Sequence, residues 1–221
     1  MTSPDMTAKV PRSRRSFPLP LSRQQARTEA TRSKLLRSAE QIFAVDGFEA
    51  ARIEDIAEAA GYTRGAFYAN FDSKEELFMA LLEDCVRRRI ADIHELMERA
   101  GTAQQQAEAL RDYYARLAKQ RKWVLILMEY KLFAIRHPAV RARLQRRIRG
   151  LRAEGIRILT NLAEALGNRP PVSGNTAAVA MGALANALVM EQLVDPAILS
   201  SGELYKLLSM FFDLLTGQEK R

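Results

Sequence analysis

The stretch IEDIAEAAGYTRGAFYANFDSKEELF, residues 53–78, decides how this 221-residue chain is interpreted. It predicts two short helices, at 53–60 and 63–70, joined through Gly61, which is the spacing of a helix-turn-helix. Gly61 can adopt the positive φ that ends the first helix, and the Thr63 hydroxyl can cap the second. The apolar residues that can clamp this pair onto the preceding helix are Ile56, Ala57, Ala60, Phe67 and Phe71, with Ile42 and Phe43 as their partners.

The opposite face of the second helix is suited to contact with DNA. Arg64 and Tyr68 are long enough to reach a base edge or a phosphate. Gly65 and Ala66 are small, so the backbone of this helix can approach the floor of a groove. The same spacing also fits a purely structural pair of helices, which remains the alternative.

Helical periodicity continues on both sides of this unit. It predicts a first helix from about Thr28 to Gly47 and a long helix that starts at Asp72-Ser73 and ends before Gly101. Further helices are predicted over 103–119, 122–136, 138–166, 175–194 and 201–216. No alternating strand pattern occurs, so the sequence predicts an all-α fold.

Composition excludes several classes of protein. Cys85 is the only cysteine, and the two histidines, His94 and His137, are far apart, so we expect no disulfide framework, no metal site and no cofactor. We find no nucleophile–base pair and no glycine-rich phosphate loop, and therefore expect no enzyme. The apolar run Trp123–Met128 is too short to span a bilayer, and residues 1–25 lack the apolar segment of a secretory signal. These features predict a cytoplasmic protein with no membrane partner.

The positive charge is concentrated at the N-terminal end. The chain has a net charge of +8, and residues 1–34, with eight basic and two acidic side chains, carry +6 of it. This asymmetry favours a polyanion as the partner of the N-terminal part. Residues 1–26 contain four prolines among arginines and predict a flexible basic arm. The arm could be a solubilising tail, or it could add phosphate or minor-groove contacts beside the first helix.

The residues themselves, over about 28–78, resemble the N-terminal domain of the TetR/AcrR family of transcriptional repressors. The resemblance is carried by Gly47-Phe48, Ile53, Ile56-Ala57, Ala60-Gly61, Thr63-Arg64-Gly65, Phe67-Tyr68, Phe71, Ser73-Lys74-Glu75 and Leu77-Phe78. It implies a homodimer that binds a double-stranded DNA operator with the helix at 63–70. It also implies a larger helical C-terminal domain that binds a small-molecule effector and releases the protein from DNA.

With this resemblance, the chain divides into three parts. We expect the arm over 1–26 and a three-helix DNA-binding domain over 27–73, with its helix-turn-helix at about 52–71. A larger helical domain for effector binding and dimerisation is expected over 74–221.

The resemblance also assigns DNA contacts by position. Thr63 matches a recognition-helix cap that touches phosphate, and Lys74 matches a phosphate-contacting lysine at the start of the next helix. Arg52 stands in a pair that usually carries hydroxyl groups, and its charge could replace the missing phosphate contact. The positions that match the major groove or its walls are Arg64, Ala66, Tyr68 and Asn70, and Gly65 lies on the same face.

Residues 123–135 are apolar almost all the way round, which predicts a helix buried on most sides. In the family the central helices enclose the effector cavity. The resemblance therefore implies these candidate lining residues: Tyr113, Tyr114, Trp123, Met128, Glu129, Tyr130 and Phe133. Simple core packing is the alternative for each. If Glu129 faces the cavity, a cationic or amine-bearing ligand is plausible, and pairing with an arginine of 141–157 is the alternative.

Three helices of the C-terminal part carry distinct compositions. The arginine-rich stretch 141–157 indicates a solvated helix face. The last two helices, 175–194 and 201–216, are poor in charge and rich in small and large apolar residues. We expect them to form a four-helix interface between two subunits, with packing inside one subunit as the alternative.

The sequence thus predicts a ligand-responsive DNA-binding regulator, most simply a repressor released from its operator by a small molecule. The principal rival is a nonspecific architectural DNA-binding protein, because the arm is basic. Competition between a palindromic upstream site and random duplex discriminates between the two.

Overall fold

The computed structural model describes residues 22–117 and 120–217, and the regular structure in these residues is helical. This confirms the all-α prediction. The helices in the described residues are α1 Arg23–Ala50, α2 Ile53–Ala59, α3 Arg64–Tyr68, α4 Lys74–Arg99, α5 Ala103–Leu117, α6 Arg121–Arg136, α7 Pro138–Ala165, α8 Gly174–Val194 and α9 Ser201–Thr216.

The first helix begins earlier than its sequence pattern predicts. Ser22 caps α1 by accepting from the backbone N–H of Gln25, and the Gln25 side chain accepts from the backbone N–H of Ser22. Residues 23–26 are therefore helical, which corrects the prediction that a flexible arm extends to residue 26. Residues 1–21 lie outside the described residues.

The N-terminal core is built by α1 to α4 together with α6. Phe43, Phe48 and Phe78 pack ring against ring, with centroids 4.6 to 5.7 Å apart. From α6, Tyr130 adds its ring at 5.0 Å from Phe78, and Ile126 is also fully buried there. The helix α6 therefore belongs to the core of the N-terminal helices as well as to the larger helical part.

A second core lies among α5, α7, α8 and α9. Ile93 at the end of α4 and Leu110 of α5 are among its buried residues. The helices α5 and α9 are also joined by polar contacts: Arg111 pairs with the buried Asp213 at 3.4 Å, and Tyr205 donates to Asp112 at 2.5 Å. These contacts fix α9 beside α5.

The basic face predicted on α7 is exposed where its side chains are described. Arg141, Arg146 and Arg149 are exposed. Arg143 binds Glu76 at the start of α4 at 2.7 Å, and Arg157 binds Glu154 on its own helix at 2.6 Å. The N-terminal end of α7 therefore touches the beginning of α4.

Among the described residues, α8 is the one helix long and apolar enough to cross a membrane. Gly182 and Asn186 interrupt its apolar sequence, so α8 contains no long uninterrupted apolar run. Helices of this length and composition also occur in the cores of globular proteins. Here Met181 and Val189 on one side of α8 are buried in the second core, while Val179 on another side is exposed.

Candidate DNA-binding site and its link to the helical domain

The helices α2 and α3 form a compact unit that is held by a turn, a helix cap and a buried side chain. Gly61, with φ 77°, reverses the chain after α2, and the backbone N–H of Tyr62 donates to Ala57 at 2.8 Å. Thr63 caps α3 by accepting from the backbone N–H of Ala66 at 3.3 Å. Phe67 is completely buried on the inner side of α3. This burial fixes the rotation of α3 about its axis and leaves the opposite side facing solvent.

The outer side of this unit presents the predicted DNA-contacting residues to solvent. Arg52, Thr63, Arg64, Gly65 and Tyr68 are all exposed. The Arg64 guanidinium binds Glu54 at 2.8 Å and lies 5.5 Å from the Tyr68 ring. Hydrogen bonding to Tyr68 and the charge of Glu54 raise the pKa of Arg64, so the guanidinium stays protonated between these two side chains. The five residues thus form one exposed face.

Asn70 lies at the end of α3 but is turned toward the protein, which corrects its predicted place in the groove. Its side-chain amide donates to the carbonyl of Ala66 at 2.8 Å, and its Oδ1 is buried without a hydrogen-bond partner in the described residues. Its backbone carbonyl accepts from Arg32 at 3.0 Å, and the Arg32 guanidinium lies 4.2 Å from the Phe71 ring. Asn70 therefore closes α3, and Ala66 beside it is half-buried.

Lys74 also departs from its predicted role. Its ammonium donates to three backbone carbonyls, those of Phe48, Glu49 and Ala51, at 2.7, 3.0 and 2.9 Å. An ammonium has three N–H donors, and these three bonds use all of them. Lys74 thus holds the C-terminal end of α1 against α4, and a phosphate contact would require one of these bonds to break.

Glu129, a predicted lining residue, has its carboxylate bound to the backbone of α1. Its carboxylate accepts from the backbone N–H of Phe48 at 3.1 Å and lies against Gly47. Gly47 interrupts α1 with φ 77° and ψ 171°, a conformation almost restricted to glycine. The kink frees the Phe48 N–H, and Glu129 of α6 satisfies it. Phe48 is thereby held on both sides, by Glu129 at its N–H and by Lys74 at its carbonyl.

Two family models match this chain. Residues 35–81 match the model described as bacterial regulatory proteins, tetR family. Residues 101–213, about half of the chain, match the tetracyclin repressor-like C-terminal domain.

The chain belongs to the TetR family.

Curated relatives of this TetR-family chain match mainly its N-terminal part. The HTH-type transcriptional regulator TtgR of Pseudomonas putida is 34% identical over 82 residues, 37% of each chain. The match thus spans little more than a third of that relative's length. The HTH-type transcriptional repressor NicS of Pseudomonas putida is 31% identical over 141 residues, which cover 62% of this chain and 63% of NicS.

Solved structures match over most of their length. NalD, the secondary repressor of the MexAB-OprM multidrug efflux pump in Pseudomonas aeruginosa, is 26% identical with a TM-score of 0.57, covering 86% of this chain and 97% of NalD. A TetR-family transcriptional regulator from Cytophaga hutchinsonii has a TM-score of 0.66 at 19% identity, covering 91% of this chain and all of that one. This second likeness concerns the fold.

The other predicted effector-lining residues of this TetR-family chain fall in different places. Tyr130 is buried in the N-terminal core, and the Phe133 ring lies 4.7 Å from Phe48 in the same cluster. Their predicted lining role is therefore replaced by packing between α6 and the DNA-binding part. Tyr113, Tyr114 and Met128 pack against the second core, where burial raises the pKa of Tyr114 to about 12. Trp123 borders both cores and an open cleft beside α4.

Sequence reasoning missed two residues that build the site. Arg32 binds the end of α3 from α1, and the Lys34 ammonium lies 5.5 Å from the Tyr62 ring. Both were counted only as part of the basic N-terminal charge. Arg32 lies one helical turn before the buried Leu35 and Leu36, which is a signal that it borders the core, but spacing alone does not identify its partner just after α3.

Proposed function

We propose that this TetR-family chain is a transcriptional repressor that binds its DNA operator as a homodimer and is released by a small molecule. The observation that carries the proposal is the exposed face of Arg52, Thr63, Arg64, Gly65 and Tyr68, held outward by a rigid core. Names of relatives support it, because NicS and NalD are both described as repressors. We assign no catalytic role and expect the protein to act in the cytoplasm, where its DNA is.

The face has the chemistry that reading a major groove requires. Arg64 and Tyr68 lie one helical turn apart and would enter the groove together. A guanidinium can bind the O6 and N7 atoms of guanine through two parallel hydrogen bonds. Glu54 orients Arg64 before DNA arrives, and part of that ion pair would be exchanged for base contacts. Arg52 and Thr63 at the rim suit phosphate contacts, which set the position without reading sequence.

Dimerisation is supported by an apolar face that the monomer leaves uncovered. On α8 Val179 and Val194 are exposed, and on α9 Met210 and Leu214 are exposed, each with more than half of its surface accessible. Pairing these helices with those of a second copy would bury this face in a four-helix interface. The two α3 helices would then have to lie roughly 34–36 Å apart to enter successive major grooves.

Release by an effector can pass through α6. This helix contributes Tyr130 to the N-terminal core and holds the kink of α1 through Glu129. A ligand that shifts α6 would therefore move Phe48 and, with it, the end of α1 beside the helix-turn-helix. The ligand changes the separation of the two reading helices only if it binds the two conformations with unequal affinity.

Footprinting of the region upstream of the gene tests the proposal. We expect the wild-type protein to protect an inverted repeat and Arg64→Ala to lose that protection at the same protein concentration. Arg146→Ala, which removes an exposed arginine from α7, is the matched control and should protect normally. Uniform protection of the whole fragment, or no protection at low ionic strength, would reject a sequence-specific repressor.

A further inference from the structure

An open cleft of about 720 Å³ lies where α1, α4 and the first turn of α6 meet. We call it the Trp123 cleft, after the indole that forms part of its wall. Its charged lining comprises four cations, Arg88, Arg89, Arg121 and Lys122, and two carboxylates, Glu40 and Asp92. Cationic side chains are therefore in excess.

The carboxylate of Glu40 is already used by one of these cations. Arg88 binds Glu40 at 3.0 Å and Asp84, on its own helix, also at 3.0 Å. It donates in addition to Cys85 Sγ at 3.1 Å. The charge of Arg88 is thus balanced inside the protein.

Arg89 is not balanced in this way. The guanidinium lies 4.4 Å from the Trp123 ring and donates to the neutral side chain of Gln120 at 2.5 Å. It makes no ion pair with a carboxylate of the described residues, and Asp92 acts on it only from a longer distance. Burial lowers the pKa of Arg89, the mark of a cation that has lost water without gaining a counterion.

The beginning of α6 adds to this positive potential. Gln120 occupies the N-cap position of α6 but makes no capping hydrogen bond with its side chain. The first turn then carries Arg121 and Lys122, both exposed, without an acidic residue. The Arg121 guanidinium, the Lys122 ammonium and the partial positive charge of the α6 N-terminus therefore all border the cleft.

We propose that the Trp123 cleft binds a small organic anion, an aromatic ring carrying a carboxylate or phosphate group. Arg89 receives the anionic group through its planar guanidinium, Arg121 and Lys122 add long-range attraction, and the aromatic ring lies against Trp123. The charge is opposite to the cationic ligand that an inward-facing Glu129 would favour. The cleft joins α1 to α4 and α6, so an anion bound there would act as the effector, and this role rests on the proposed function. Binding of the anion itself does not depend on DNA.

Trp123 provides the readout, because it is the only tryptophan of the chain. The full-length protein is titrated with benzoate and with phenyl phosphate while tryptophan emission is recorded. Benzamide, which has nearly the shape of benzoate but no charge, is the matched control probe. We expect saturable changes with one or both anions at millimolar concentration, weakened by added salt, and no saturable change with benzamide.

Variants locate the site. Arg89→Gln should weaken anion binding about tenfold, since a charge-assisted hydrogen bond is lost. Arg121→Gln, at an exposed position that leaves folding undisturbed, should weaken binding severalfold, and Arg146→Gln on α7 should have no effect. Equal responses to benzoate and benzamide, unchanged affinity in both cleft variants, or flat titrations with both anions up to about 10 mM would overturn the proposal. These titrations contain no DNA, so their outcome is independent of whether the protein binds an operator.

Discussion

The ammonium group of Lys74 binds backbone carbonyls at the C-terminal end of α1. Replacing it in Lys74→Met keeps most of the aliphatic stem but removes all three bonds to carbonyls of residues 48–51. We expect the free energy of unfolding to fall by about 1–3 kcal/mol, because these acceptors lose a charged donor. Urea denaturation measures this change.

Lys206→Met at an exposed position of α9 is the matched control and should change stability by no more than about 0.5 kcal/mol. If Lys74→Met is as stable as the wild type but lowers the salt dependence of DNA binding by about one phosphate contact, the family-derived phosphate role is right. The internal role described here would then be wrong.

Cys85 gives a second prediction about a single side chain. Burial raises the pKa of this thiol to about 11, well above its ordinary value of 9.0. At pH 8 the native protein should therefore react with iodoacetamide about a hundredfold more slowly than the chain in concentrated urea, because the thiolate is the nucleophile. Since the native state holds the proton more tightly, this thiol stabilises the fold less as the pH rises from 9 toward 11. Rapid labelling of native protein at pH 8 would contradict the buried placement.

The kink of α1 depends on one glycine. In Gly47→Ala the new side chain would be held at φ 77° and its Cβ would lie 3.3 Å from the Glu129 carboxylate. Both effects oppose folding, and we expect a loss of about 1–3 kcal/mol in urea denaturation. Gly155→Ala inside α7 is the control: outside the adjoining helix backbone, no atom of the described residues lies within 4 Å of a Cβ at this position. It should stabilise the protein by up to about 1 kcal/mol. A neutral Gly47→Ala would show that the kink is not required.

The ends of the helices were predictable because single residues determine them. Gly61, with a positive φ, follows the end of α2. The Ser73 hydroxyl caps α4 by accepting from the backbone N–H of Glu76, and Pro138 is the first residue of α7. Each signal is local, since it acts on backbone groups within one turn. The start of α1 was missed because the capping box of Ser22 and Gln25 lies in a stretch whose prolines and arginines suggested a flexible arm.

The partners of α6 were not predictable from the sequence. Its almost continuous apolar surface predicts burial, but it does not say which neighbour each side meets. Glu129 binds the backbone of Phe48 at the kink of α1, 81 positions away, and Tyr130 packs on Phe78, 52 positions away. Such long-range pairing depends on how whole helices are placed. The same reason hid the bonds of Lys74 to the carbonyls of residues 48–51 and the bond of Arg32 to the Asn70 carbonyl.

The uncovered face of α8 and α9 leads to a prediction for the assembled protein. Leu214→Glu should convert the dimer to a monomer, because two carboxylates would be placed at a buried apolar interface. Sedimentation analysis should give twice the 24.9 kDa chain mass for the wild type and the single mass for the variant. Val45→Glu, at another exposed apolar position on α1, should remain dimeric. A monomeric wild type would contradict the interface and the spacing of the two reading helices.

Competition binding tests most directly whether the α2–α3 face reads DNA sequence. The footprinted site and a scrambled duplex of equal length compete for the wild-type protein and for Arg64→Ala at a fixed salt concentration near 0.15 M. The wild type should prefer the site by about a thousandfold or more, and Arg64→Ala should lose about 1–3 kcal/mol on that site alone. Equal affinity of the wild type for both duplexes, or an Arg64→Ala variant with undiminished preference, would contradict the account.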